Sequence, residues 1–165
     1  MVLYAEKQLC QAARENVKGM IVRQATPADS FLLSSLCMDV QRLHAEYHPR
    51  IFKTPQNADF SADFFDEMLA DPAAIIYIAE ENEQALGYIL CKMIEREEGP
   101  FTYPNRFLHI DQISVRPDAQ GRGAGTALID QVERLAQELG VSRIQLDSWN
   151  FNTKAHANSW ASLST

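Results

Sequence analysis

The chain is predicted to fold as a mixed α/β (α+β) domain, a mainly antiparallel twisted sheet flanked by helices, and three observations carry that prediction. Segments of helical and strand periodicity alternate along the sequence without an internal repeat, which argues against a pure bundle or sandwich. Two β-rich runs flank a polar Glu-Asn-Glu-Gln turn in AIIYIAEENEQALGYILCKMI, the pattern of an antiparallel hairpin. A strong amphipathic helix separates FLHIDQISV from VSRIQLDSW, so a right-handed crossover sets these last two strands parallel.

Taken in order, residues 3–16 read as a polar leading helix and MIVRQA as a short strand. Thr26 then stands as an N-cap, with Pro27 at the first helical position and Asp29 three residues after Thr26. The helix that follows carries an apolar stripe through Phe31, Leu32, Leu36, Val40, Leu43 and Tyr47, and Pro49 ends it. Residues 49–60 contain Pro49 and Pro55 and show no period, so they read as a loop that faces substrate. A second helix over residues 61–69 is closed by Asp71-Pro72, with Phe64, Phe65, Met68 and Leu69 spaced as core residues.

After the hairpin, the charged connection EREEGPFTYPN leads into FLHIDQISV, whose phase is irregular. Leu108 and Ile110 share one face, and strict alternation would put Ile113 and Val115 on the other. One extra residue restores the pattern, so a β-bulge is expected near Asp111 and Gln112, a device that bends a strand and re-aims side chains. The next helix places Ala124, Ala127, Leu128, Val132, Leu135 and Leu139 on one face, with Gly140 as its C-terminal cap. In the final strand Ile144 and Leu146 alternate inward against Gln145 and Asp147.

With 165 residues, the chain fits one domain that buries roughly 70% of its unfolded surface. Hydrophobic residues at 46% and charged residues at 22% are ordinary globular values and exclude disorder. The formal charge of −7 argues against a broad grip on nucleic acid or an anionic membrane surface. Cys10, Cys37 and Cys91 are odd in number and widely spaced, which indicates neither a disulfide framework nor a zinc site. The first residues carry no leader pattern, and the longest apolar run, residues 73–79, is far too short to span a bilayer. A cytoplasmic location is expected.

The chemistry concentrates in Gln120-Gly121-Arg122-Gly123-Ala124-Gly125-Thr126, between a strand and the strongest helix. Successive backbone amides and the positive end of a helix dipole hold anions, and glycines let phosphate oxygens approach the main chain. A dinucleotide fingerprint needs a third glycine where Thr126 stands, and a P-loop needs Gly-Lys-Ser/Thr, which is absent.

These residues resemble the GNAT superfamily of N-acetyltransferases, whose acetyl-CoA loop follows Arg/Gln-x-x-Gly-x-Gly/Ala, here Gln120, Gly123 and Gly125. The resemblance runs from Met20 to Ala157 and includes IDQISVRPDAQGRGAGTALIDQVERLAQELG. It implies a GNAT-like sheet with splayed central parallel strands, acetyl-CoA as co-substrate, and direct transfer of acetyl to a primary amine of a small molecule or peptide. It further implies main-chain hydrogen bonds from Ile113 and Val115 to the pantetheine arm, a pyrophosphate cradle over residues 120–126, and Asn152 and Ala155 near the cofactor as the family's Asn-x-x-Ala element. The alternative that the same loop supports is a non-catalytic acyl-CoA-binding or degenerate member of the family.

An amine must be neutral to attack a thioester, so a proton acceptor is needed beside the splay. His109 and Asp111 lie two apart on one strand face, at positions where some relatives carry a pair of histidines, and are the catalytic candidates. A structural role, with Asp111 pinning the bulge and His109 packed as a satisfied side chain, is the competing reading. His44 and His48 share a helix face, but His-Ala-Glu-Tyr-His does not match the His-Glu-x-x-His zinc motif, so no metal site is assigned. The resemblance, with substrate contacts on the family's first two helices, instead makes this helix end, with Glu46, Tyr47 and Arg50, a candidate lining of the acceptor pocket; an exposed polar helix end is the competing reading. Arg122 is placed either on phosphate or on the solvated surface.

The tail departs from the family. Asn158-Ser159 stands where the family carries a Phe-Tyr pair whose tyrosine protonates the departing thiolate, and Leu163-Ser164-Thr165 occupies the Leu-Gly-Phe position. The expected organisation is therefore an extension over residues 1–19 and an acetyltransferase domain over 20–165 that lacks its final strands. The edge so exposed calls for a cover, either residues 1–19 folded back or, favoured by the apolar excess, a second copy in a homodimer.

Overall fold

The computed structural model describes residues 14–16 and 19–146. Among the described residues six strands form one sheet in the order β1-β2-β3-β4-β5-β6: β1 Arg14–Asn16, β2 Met20–Gln24, β3 Ala74–Glu81, β4 Gln84–Arg96, β5 Asn105–Val115 and β6 Ile144–Leu146. Neighbours pair antiparallel until the last pair, where β5 and β6 run parallel. The α-helices among the described residues flank it: α1 Ser30–Tyr47, α2 Ala62–Ala70 and α3 Ala124–Glu138. The mixed, mainly antiparallel sheet is the one the sequence predicts.

Each face of the sheet carries its own core. On one, Met20, Ile75, Ile89, Cys91, Leu108 and Ile110 pack against Ala124, Leu128, Val132 and Leu135 of α3. On the other, Ile76, Ile78, Tyr88 and Leu90 pack against Leu33, Leu36 and Cys37 of α1 and Phe65 of α2. The helix α3 ends as expected at Gly140, whose φ of +65° allows its amide to reach the Gln137 carbonyl and the Val141 amide to reach that of Ala136. The hairpin between β3 and β4 closes through Asn82 and Glu83, both at positive φ. Among the described residues no helix is long and apolar enough to cross a membrane.

Two expectations are corrected. Residues 14–16 form a strand paired with β2, not the end of a leading helix; they also sit at the sheet edge opposite β6, so they do not cover it. The apolar stripe of α1 is rotated from the expected one: Leu33, Leu36, Cys37 and Ala45 are buried, whereas Phe31, Leu43 and Tyr47 are exposed. Small residues take the inner positions, and Ser34 is satisfied there by hydrogen bonds donated from the Ser61 amide and hydroxyl.

The entry to α1 is fixed electrostatically. Asp29 accepts two hydrogen bonds from the Arg23 guanidinium, both 2.9 Å, and one from the Thr26 amide at 2.7 Å, while Arg23 Nε donates to Glu80 at 2.7 Å. Burial alone would raise the Asp29 pKa, but the bonds from Arg23 and Thr26 together hold it below its ordinary 3.8. A depressed carboxylate stabilises the fold above its unfolded value and loses that contribution as pH falls through the folded one. Asp29→Asn is therefore expected to cost about 2 kcal/mol at pH 7, with the gap to the parent narrowing below about pH 4. Thermal unfolding of both proteins at pH 7 and pH 3 checks this; an equal gap at both values contradicts it.

Candidate active site

The strand and the loop that frame the site each owe their shape to a local irregularity. The β4–β5 ladder pairs Cys91 with Ile110 and then Leu90 with Gln112, so Asp111 is the extra residue of a β-bulge. The slip gathers Leu108, Ile110, Ile113 and Val115 into the single core beneath α3, as the phase of the sequence demands. On the opposite face the Asp111 carboxylate lies with Oδ1 3.3 Å from His109 Nδ1 and Oδ2 3.9 Å from Lys92 Nζ. Lys92 stands directly across the ladder from His109. These three side chains are 21–35% exposed, open enough to meet a ligand.

Neither described cysteine fits nucleophilic chemistry here. Cys91, beside the bulge, is fully buried; burial and then the Asp111 charge push its thiol up to about 12. Burial also raises Cys37, against an opposing hydrogen bond with Tyr88. Both are thiols at neutral pH and poor carriers for an acyl group.

Beyond Val115, the turn Pro117–Ala119 leads through residues 120–123 into α3. Gly121 and Gly123 hold φ of +78° and +92°, a region that favours glycine, and Gly123 is the N-cap of α3. A Cβ added at either would meet no protein atom within 4 Å, so both glycines border open space. The first amides of α3, from Ala124 through Gly125 and Thr126, have no acceptor within the helix. A cradle of this kind suits a phosphate or pyrophosphate group. Gln120 is exposed at its rim. Arg122 is not simply solvated surface, because its guanidinium engages the Glu81 carboxylate at the end of β3.

Ile113 and Val115 stand opposite Ile89 and Gly87 of β4 in the register, and the next residue, Arg116, donates its amide to the Leu86 carbonyl at 2.8 Å, so in the alternation of an antiparallel ladder the main-chain groups of Val115 and Ile113 turn away from β4. On the other side the described ladder with β6 covers residues 108–110 and stops at the bulge; the splay implied beyond it, with Asn152, Ala155 and Ser159, lies outside the described residues. At the end of α1, His44 stacks on Phe52 with ring centroids 4.7 Å apart, and His48 lies 6.5 Å from the same ring. Burial, and then the charge of His48, lower the His44 pKa. Tyr47 is exposed on the same helix end. Among the described residues, no three His, Cys, Asp or Glu side chains are grouped to hold a metal.

The sequence reading missed Lys92 and Gly87. A Cβ at Gly87 would lie 2.4 Å from the Ser114 carbonyl oxygen, so only glycine lets β4 approach β5 this closely beside Val115. An isolated glycine inside Leu86-Gly87-Tyr88-Ile89 was the available signal. Lys92 carried no such local signal, because its place opposite His109 follows from the β4–β5 register that the bulge shifts.

A mixed sheet with a bulged strand running into a glycine-rich helix start frames a site suited to a phosphate-bearing ligand. The sequence profile of the Acetyltransferase (GNAT) family matches residues 38–158. The chain belongs to the GNAT acetyltransferase family, which uses acetyl-CoA. Among solved structures it is similar to the BH1408 protein from Bacillus halodurans, in a tetramutant form, with a TM-score of 0.77, 19% identity and coverage of 86% of this chain and 90% of that one. A ribosomal-protein-alanine N-acetyltransferase from Brucella melitensis biovar Abortus 2308 matches with a TM-score of 0.64, 20% identity and coverage of 88% and 92%. A predicted acetyltransferase from Clostridium acetobutylicum, solved with acetyl-CoA, matches with a TM-score of 0.62, 20% identity and coverage of 86% and 88%. No curated protein sequence matches the chain.

Proposed function

We propose that the protein transfers acetyl from acetyl-CoA directly to the primary amine of a small molecule or peptide, with Asp111 taking the amine proton, directly or through water, and His109 beside it. The observation that carries this reading is the bulge, which sets a solvent-accessible carboxylate 3.3 Å from an imidazole on the strand that leads to the candidate anion cradle. Residues 120–126 would hold the pyrophosphate, and the main chain of Ile113 and Val115 the pantetheine arm. The amine nitrogen loses its proton, forms the N–C bond at the thioester carbonyl, and the C–S bond breaks to release CoA, which regains a proton. Direct transfer is favoured over an acyl-cysteine route because Cys37 and Cys91 are buried, protonated thiols. Buried free thiols also favour a reducing, cytoplasmic setting. His44, Tyr47 and His48 at the end of α1 would line the acceptor pocket.

A panel of amines, amino acids, peptides and aminoglycosides, followed by CoA release, tests the proposal. At least one class is expected to raise CoA release well above hydrolysis. Acetyl-CoA binding in calorimetry with no acceptor accelerating release would support instead the non-catalytic acyl-CoA-binding reading.

A further inference from the structure

In the core under α1 and α2, polar side chains tie the strand at and just after the bulge to β4 and α1. Tyr88, fully buried on β4, donates its hydroxyl proton to Gln112 Oε1 at 2.7 Å. Gln112 is the residue that follows Asp111, so this bond grips the bulge from its core side. The Tyr88 hydroxyl also shares a hydrogen bond with the Cys37 thiol of α1. One residue away on that helix, the Leu36 carbonyl accepts a hydrogen bond from buried Ser114 Oγ at 2.8 Å. Phe65 packs edge-on against the Tyr88 ring, 5.4 Å between centroids at 90°, which locks the ring in place.

Packing does not require any of these polar atoms. A phenylalanine fills nearly the volume of Tyr88, and a buried hydroxyl is tolerated only while it is paired. What the hydroxyl adds is direction, because a bulge leaves its extra residue without a ladder partner and so less constrained than the strand around it. We infer that Tyr88 is a positioning residue for acetyl transfer: through Gln112 it fixes the bulge backbone, and with it the aim of the Asp111 carboxylate. This rests on the reading that transfer takes place at the bulge.

The test separates positioning from stability. In Tyr88→Phe, amide hydrogen exchange over residues 111–114 is expected to quicken about tenfold while β3 keeps the parent rate, and kcat with the best amine of the panel to fall about tenfold with KM for acetyl-CoA unchanged. The double variant Tyr88→Phe/Gln112→Met removes both partners, so it should regain stability relative to the single variant. Its exchange at the bulge and its kcat should nevertheless stay at the single-variant level. Gln112→Met alone, which leaves the buried ring intact, is expected to give the same signature if Tyr88→Phe folds poorly. Unchanged exchange at the bulge in both single variants, or recovery of kcat together with stability in the double variant, overturns the inference. A parent protein that neither binds acetyl-CoA nor acts on the panel overturns the functional reading instead, and the exchange arm still decides whether Tyr88 holds the bulge.

Discussion

Asp111→Asn is expected to lower turnover about a hundredfold, the lower end of what a positioned general base contributes, while acetyl-CoA affinity stays at the parent value. The substitution keeps the size of the side chain and removes only its charge and basicity. Its two oxygens face different partners, His109 at 3.3 Å and Lys92 at 3.9 Å, so an amide there still fits but accepts no proton at neutral pH. The proposed phosphate cradle lies beyond Val115 on separate backbone, which is why binding and turnover should part company. Steady-state kinetics on the best amine of the panel, with calorimetry for acetyl-CoA, reads both. If turnover and its pH profile survive, Asp111 does no more than shape the bulge.

Gly123→Val is expected to weaken acetyl-CoA binding by about ten- to a hundredfold, corresponding to a lost charge-assisted hydrogen bond of about 1.5–3 kcal/mol. Two effects act at this position. A β-branched residue at φ +92° is strained by about 1–3 kcal/mol, which tilts the first turn of α3. The new side chain would meet no protein atom near its Cβ, so it projects into the space that the amides otherwise present to a phosphate. Circular dichroism should retain the helical signal, because the body of α3 is anchored by Leu128, Val132 and Leu135. Parent-like affinity in a folded variant would show that the cradle holds no part of acetyl-CoA.

Much of this arrangement was legible in the sequence because it is written in local rules. The bulge announced itself as a broken alternation between Ile110 and Ile113, and the cradle as glycines between a strand and an amphipathic helix. Lys92 and Tyr88 were not legible in the same way, since their partners lie 17 to 24 positions away and depend on a register that the bulge itself shifts. The inner face of α1 was misjudged for another reason: size ranks Phe31 and Tyr47 as core, but Ser34 and Cys37 sit inside because hydrogen bonds to Ser61 and Tyr88 satisfy them there. Residues 14–16 carry no strand pattern in Arg-Glu-Asn, and their pairing is a property of the edge offered by β2.

The bulge also divides what keeps this protein folded from what makes it useful. Without Asp111 the β4–β5 ladder could run unbroken, with every apolar side chain still on its proper face, so the architecture has no need of the residue on which the proposed chemistry centres. If transfer takes place at the bulge as proposed, a chain with a smooth strand at this place would keep the shape and lose the activity, and the presence of that single surplus residue would mark a working site before any assay is run.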